Sequence, residues 1–124
     1  MFDDQIARPL IWVGASRKDF AAFPDTVQSI MGYALYVAQC GGRHRNAKML
    51  LGFGGAGVIE IVSNASGGTF RAVYTVRFKE AVFVLHAFQK KSKSGIATPR
   101  TELNLVELRL RDAALLAQGS SHDS

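Results

Sequence analysis

Thr69-Phe70-Arg71-Ala72-Val73-Tyr74-Thr75-Val76-Arg77-Phe78 is the stretch on which the fold turns. It is rich in β-branched and aromatic residues and contains neither Gly nor Pro, so it reads as a strand. Alternate side chains of a strand point to opposite faces. Phe70, Ala72, Tyr74 and Val76 therefore share one side, and Arg71, Val73, Thr75 and Arg77 share the other. The aromatic side is expected in the core, with Arg71, Thr75 and Arg77 on an open side. Upstream, Val58-Ile59-Glu60-Ile61-Val62 reads as a partner strand, joined through the turn Ser63 to Gly68. Downstream, a turn near Lys79-Glu80 leads to a third strand, Ala81 to Phe88. Connections this short belong to antiparallel hairpins. Glu60 is expected on the open side, because burying an unpaired carboxylate is costly. Phe83, Leu85 and Ala87 are expected to pack inward, which turns His86 outward beside Arg71 and Glu60.

Helices flank these strands. The short apolar run Leu10-Ile11-Trp12-Val13 reads as a first strand. Ser16-Arg17-Lys18-Asp19 then has the spacing of a capping box and starts a short helix that stops before Pro24. Pro24 suits the first position of a second helix, in which Val27, Ile30, Met31, Ala34, Leu35 and Ala38 form one buried stripe. Gly41-Gly42 ends it. After the polar stretch Gln89 to Ala97, Thr98 and Pro99 are expected as N-cap and first residue of a last helix. Its stripe is Leu103, Val106, Leu110 and Ala113-Ala114, widened by Leu105 and Leu108. The predicted order is β-α-α-β-β-β-α, an α+β domain whose antiparallel sheet packs against an N-terminal helical hairpin and a C-terminal helix. At 124 residues it is one domain, over 1–118, with a flexible tail over 119–124, and it should be a thin two-layer object.

Charge is concentrated in the middle of the chain. Residues 43–100 hold ten Lys or Arg against Glu60 and Glu80, whereas the segments on either side are slightly acidic. Solubility does not require that asymmetry; attraction of a polyanion does, and nucleic acid is the commonest one. A solvated basic surface that binds nothing is the bland alternative. No apolar run is long enough to span a bilayer, and Met1 to Arg8 has no apolar segment of a secretory signal. The lone Cys40 excludes a disulfide framework, and His44, His86 and His122 are too scattered for a metal site. A protein of the cytosol, without membrane contact, metal or cofactor, is expected.

Several motifs resemble one family. Gly68-Thr69-Phe70-Arg71-Ala72-Val73-Tyr74 is similar to the "G-x-[YF]-R-x-x-Y" strand of RelE/ParE toxins from bacterial toxin–antitoxin pairs. Val84-Leu85-His86-Ala87-Phe88-Gln89-Lys90-Lys91-Ser92, with Gly95 to Pro99, resembles the "LHxFxKKS…GIxTP" signature of the phage-derived, HigB-like branch. Gly32-Tyr33-Ala34-Leu35-Tyr36, Ala38-Gln39, Gly41 and Lys48 fit the same branch, and the match spans about residues 16–116. The resemblance implies a RelE-like fold and a toxin that cleaves mRNA, often on the translating ribosome. It also implies a cognate helix-turn-helix antitoxin of the HigA/Xre-like kind. The family's strand arginine falls on Arg71, and its basic residues after the last strand fall on Lys90 and Lys91. Residues 98–117 hold no tyrosine, so the catalytic tyrosine that some relatives carry near the last helix has no counterpart.

Such cleavage is an attack of the ribose 2′-OH on the adjacent phosphorus, which needs a base, a cationic clamp and an acid, and no metal. Arg71 is the expected clamp, because its fork can hold two phosphoryl oxygens. Glu60 or His86 is the base; the other, or a lysine such as Lys90, is the acid. Lys90, Lys91 and Lys93 are placed on backbone phosphates, with Arg77, Arg43, Arg45 and Lys48 as further RNA contacts. An Arg71–Glu60 cross-strand ion pair, a structural His86, solvated lysines and a core Tyr74 are the corresponding non-catalytic readings. A ParE-like protein that inhibits DNA gyrase is the competing function, and a domesticated relative that only binds is a third. The ribonuclease reading, with Arg71 as its clamp, requires that Arg71 not be sealed beneath a helical layer and that the lysine stretch face the same floor.

Overall fold

The β-formers of residues 58–90 form three long antiparallel strands, and every other element is arranged around them. The computed structural model describes residues 7–55, 57–65, 67–90 and 98–122. In chain order the elements are β1 (Leu10–Trp12), α1 (Ser16–Ala21), α2 (Asp25–Gln39), β2 (Ala47–Met49), β3 (Val58–Ala65), β4 (Gly68–Thr75), β5 (Val82–Lys90) and α3 (Arg100–His122). They form a mixed α+β fold with one five-stranded sheet in the order β1-β5-β4-β3-β2. β1 runs parallel to β5, and the other pairs are antiparallel.

Both faces of the sheet are covered. On one face Met31, Leu35 and Ala38 of α2 pack on Ile59, Ile61, Ala72, Tyr74 and Val84. On the other, Val106, Ala113 and Ala117 of α3 pack with Val58, Val73, Phe83 and Leu85. The expected two layers are therefore three, and the strand side expected to stay open lies under α3. A pattern of period two sorts side chains between faces but cannot say whether a distant helix covers each face.

Several local expectations are corrected. Ser16 does not cap α1: Ala15 holds that position, and the buried Ser16 hydroxyl instead donates to the Val84 carbonyl at 3.1 Å. Pro24 is the N-cap of α2, so the helix starts one residue later than expected, at Asp25. Ile30, expected in the core, is 40% exposed, while Val37 takes a buried place. α2 ends as anticipated: Gly41, at φ 92°, donates to Ala38, and Gly42 donates to Val37. This is the paired bonding of a glycine-terminated helix. β2 has no counterpart in the predicted order β-α-α-β-β-β-α; in it Lys48 pairs with Glu60 at the sheet edge. The Leu103 N–H bonds the Pro99 carbonyl, so Pro99 rather than Thr98 caps α3. α3 runs from Arg100 to His122.

The inward alternation expected for β5 fails at a bulge. Val73 pairs with His86 but Tyr74 pairs with Val84, leaving Leu85 as an extra residue. Phe83, Leu85 and His86 consequently all lie on the α3 side, while Val82, Val84 and Ala87 lie on the α2 side. His86 does share the Arg71 face, but Phe83 and Leu85 are there with it.

Candidate functional site

One row of paired residues crosses four strands on the α3 side: Lys48 opposite Glu60, Glu60 opposite Val73, and Val73 opposite His86. Arg71 lies two residues along β4, opposite Val62 and Phe88. It reaches Glu60 diagonally, and its Nη1 donates to Glu60 Oε1 at 2.9 Å. The other carboxylate oxygen, Oε2, accepts the Thr98 hydroxyl at 2.9 Å. The side chains of Arg71 and Glu60 are 5% and 1% exposed. The buried charge is thus paired and hydrogen-bonded, as burial demands. The same observation corrects the expected open floor: the Arg71 guanidinium lies beneath α3 and holds a carboxylate.

His86 is linked to α3 and not to Glu60. Its Nε2 lies 2.6 Å from Glu102 Oε1, and its Nδ1 lies 3.2 Å from Arg109 Nη1, which also donates to the Leu85 carbonyl at 3.0 Å. A guanidinium can only donate. Nδ1 must therefore accept, and the imidazole proton sits on Nε2, donated to Glu102. The ring stacks on Phe88, with centroids 5.0 Å apart. Arg109 reaches this position across the turn at Gly14, whose φ is 58°. A Cβ on Gly14 would stand 2.8 Å from Arg109 Nε.

A cavity of about 450 Å³ opens between β2 and the foot of α3, lined by Lys48, Met49, Leu50, Leu51, Thr98 and Leu103, with Glu60 at its inner wall. The Thr98 hydroxyl stands on the Glu60 carboxylate, which explains how Glu60 can border the cavity while 1% exposed. Lys48 is exposed at the other end of the row. The site is a charge-paired carboxylate one hydroxyl away from a mostly apolar cavity whose lining includes an exposed lysine.

The remaining sequence candidates are dispersed. Lys90, at the end of β5, shares the Arg71 face beyond Phe88. Lys91 and Lys93 lie outside the described residues. Arg43 and Arg45 are exposed in the segment before β2. Arg77 is exposed, but its guanidinium donates to the Phe53 carbonyl and so braces the loop ahead of β3. Sequence reasoning missed Thr98 as a partner of Glu60, and missed Glu102 and Arg109 altogether. A signal was available for the last two. Both fall within the inward stripe of α3, at 102, 103, 106, 109, 110 and 113, where a charge implies a buried partner.

Tyr74 lies on the opposite face and is fully buried, as parity predicted. Burial pushes its hydroxyl up to about 12, against the pull of the Arg43 charge. Among the described residues no three His, Cys, Asp or Glu side chains cluster as metal ligands would, and no helix is long and apolar enough to cross a membrane.

The sequence matches the model of a family described as phage-derived protein Gp49-like over residues 18–111. Among solved structures, the fold is similar to a chain of the toxin–antitoxin complex RelBE2 from Mycobacterium tuberculosis. The identity is 15% and the TM-score 0.47, covering 73% of this chain and 99% of that one. No curated protein matches the sequence.

Proposed function

The chain belongs to the phage-derived Gp49-like family, and from that membership we propose that it is the toxin of a toxin–antitoxin pair, acting in the cytoplasm as an endoribonuclease on mRNA. The strand and lysine motifs it shares with the HigB-like branch of RelE/ParE toxins support the reading, as does the basic middle of the chain. The observation that carries it is Glu60 at the inner wall of the cavity that Lys48 opens. Once the Thr98 hydroxyl moves aside, Glu60 Oε2 takes the proton of a ribose 2′-OH. The 2′-oxygen then bonds to phosphorus, the P–O5′ bond breaks, and Lys48 gives the leaving 5′-oxygen a proton. The products are a 2′,3′-cyclic phosphate and a 5′-OH. Arg71 acts here as a positioning residue, because its guanidinium orients Glu60 and neutralises it at rest. A phosphodiester reaches this carboxylate only when the foot of α3, Thr98 to Glu102, lifts from the sheet. The cognate antitoxin, of the helix-turn-helix kind, silences the toxin, and the translating ribosome presents the mRNA.

The test is to induce the protein in bacteria and map new RNA 5′ ends within minutes. Cuts inside translated frames, with 5′-OH ends, are expected. Glu60→Gln keeps the shape of the side chain and should slow cutting by about 10²–10⁴-fold, the range of general-base help. Unchanged cutting by a folded Glu60→Gln would reject the assignment. The covering of Arg71 and His86 by α3 favours a second reading, a ParE-like toxin that inhibits DNA gyrase and cuts nothing. DNA damage without RNA cuts would establish that one instead.

A further inference from the structure

A second feature lies on the α2 side of the β2 edge, away from the Glu60 cavity. Tyr33, on α2, is 56% exposed, and Ile30, one turn earlier, is 40% exposed. The Tyr33 ring meets the His44 ring nearly at right angles, 85° between planes and 5.7 Å between centroids. His44 is held in place: the Asn46 backbone N–H donates to its Nδ1 at 3.0 Å, which leaves the proton on Nε2 when the ring is neutral. Ser29, Ile30, Tyr33, His44, Arg45 and Asn46 line a groove of about 330 Å³, and no carboxylate is among them.

We propose that this Tyr33–His44 corner is a stacking site for an unpaired RNA base, a recognition subsite outside the cavity where the chain is cut. The inference rests on the endoribonuclease reading above and names a part of its substrate contact. Three observations select the occupant. The flanking exposed Arg43 and Arg45, without an acidic neighbour in the groove, select a polyanion. The exposed aromatic corner selects a polyanion with flat π faces, which an acidic peptide lacks. Ser29, Asn46 and the His44 Nε2–H supply hydrogen-bonding groups for a base edge. Because His44 is already oriented, little side-chain freedom is lost on binding. The position also suits a continuous strand. Arg45 lies in the turn that the Ala47 N–H closes on the His44 carbonyl at 2.9 Å, just ahead of β2, and Lys48, three residues on, opens the Glu60 cavity. An RNA strand crossing the β2 edge meets the corner, Arg45, Lys48 and the cavity in turn.

The test uses a fluorescein-labelled hexamer of 2′-O-methyl adenosine, which has no free 2′-OH and cannot be cut, with binding read by anisotropy. Tyr33→Ala should weaken binding about tenfold, within the range that a lost base stack produces. Tyr33→Phe should bind within about twofold of wild type, because stacking needs the ring and not the hydroxyl. The salt slope should stay unchanged in Tyr33→Ala and fall in Arg45→Ala, since only arginine meets a phosphate. Tyr33 is exposed, so circular dichroism should find the variant folded. Tyr33→Ala binding as tightly as wild type would overturn the proposal. So would an abasic hexamer binding as tightly as the adenosine one, or hexaglutamate displacing the RNA at equal concentration. If wild type cuts RNA while Tyr33→Ala binds normally, only the stacking site fails. If wild type binds no RNA at all, the endoribonuclease reading fails with it.

Discussion

Arg71 and Glu60 hold one another in the interior, and neither can be changed alone at low cost. Removing one member of a buried pair leaves an uncompensated charge, typically at about 3–5 kcal/mol. Arg71→Ala should therefore lower the unfolding free energy by about that amount in a urea titration. Glu60→Leu combined with Arg71→Met should recover most of the loss, because apolar replacements of similar volume remove both charges together. Recovered stability without recovered cutting would separate the structural part of this pair from its chemistry. Tyr74 presents the opposite case. Among the described residues its buried hydroxyl makes no hydrogen bond, a loss of about 1–3 kcal/mol for such a group. Tyr74→Phe is expected to stabilise the protein at pH 7 by about 1 kcal/mol. The same substitution tests a pH effect. The folded hydroxyl titrates at about 12 and an ordinary tyrosine at 10.0, so the folded state keeps this proton longer than the unfolded chain does. The stability tied to it is full below pH 10 and is lost as pH rises through about 12. Alkaline melting curves should show a shallower fall over that window in Tyr74→Phe.

α3 is the element on which access to the site depends. It is fastened by the apolar contacts of Val106, Ala113 and Ala117, by Glu102 to His86, and by Arg109 to His86 and the Leu85 carbonyl. Polar contacts of this kind contribute about 1.5–3 kcal/mol when one partner is charged. Glu102→Ala should therefore speed amide exchange at the foot of α3 by about tenfold or more, with exchange in β4 little changed. Gly14→Ala should loosen the same helix from the opposite side, because the added methyl collides with Arg109 at a turn that disfavours any Cβ. Equal protection of α3 in these variants and in wild type would mean that the apolar stripe alone holds the helix. β2 shows how an element can escape local reading. Ala47-Lys48-Met49 is three residues long and has no β-branched member, so nothing local marks it as a strand. The unpaired edge of β3 draws it into the sheet.

For the molecule as a whole, the uneven charge sets how RNA is attracted. Arg43, Arg45 and Lys48 are exposed along one edge. If each meets one phosphate, the logarithmic salt slope for single-stranded RNA is roughly −2, a loss of about 20-fold between 50 and 200 mM salt. A flat response would remove this edge as the binding surface. The arrangement of layers is the larger lesson at this scale. The inward and outward sets of β3 and β4 were readable because alternation is local and strict. That failed on β5, where Leu85 bulges, and a single inserted residue has no signature in composition. The pairing of Arg71 with Glu60 was readable as an alternative, since both lie on one side of neighbouring strands. Thr98, Glu102 and Arg109 were not read as their companions, because Glu102 and Arg109 lie on a helix far along the chain and Thr98 just ahead of it.

The sequence by itself determined the three long strands, the buried stripe of α2, its glycine stop and the basic middle segment, since each depends on residues within a few positions of one another. The family membership rests on the same linear order. The tertiary structure alone decided that α3 closes over Arg71, Glu60 and His86, that β2 completes the sheet edge with Lys48 opposite Glu60, and that the Thr98 hydroxyl meets the Glu60 carboxylate. Those outcomes depend on which surfaces meet across long stretches of chain, where burial and pairing of charge outweigh local preference.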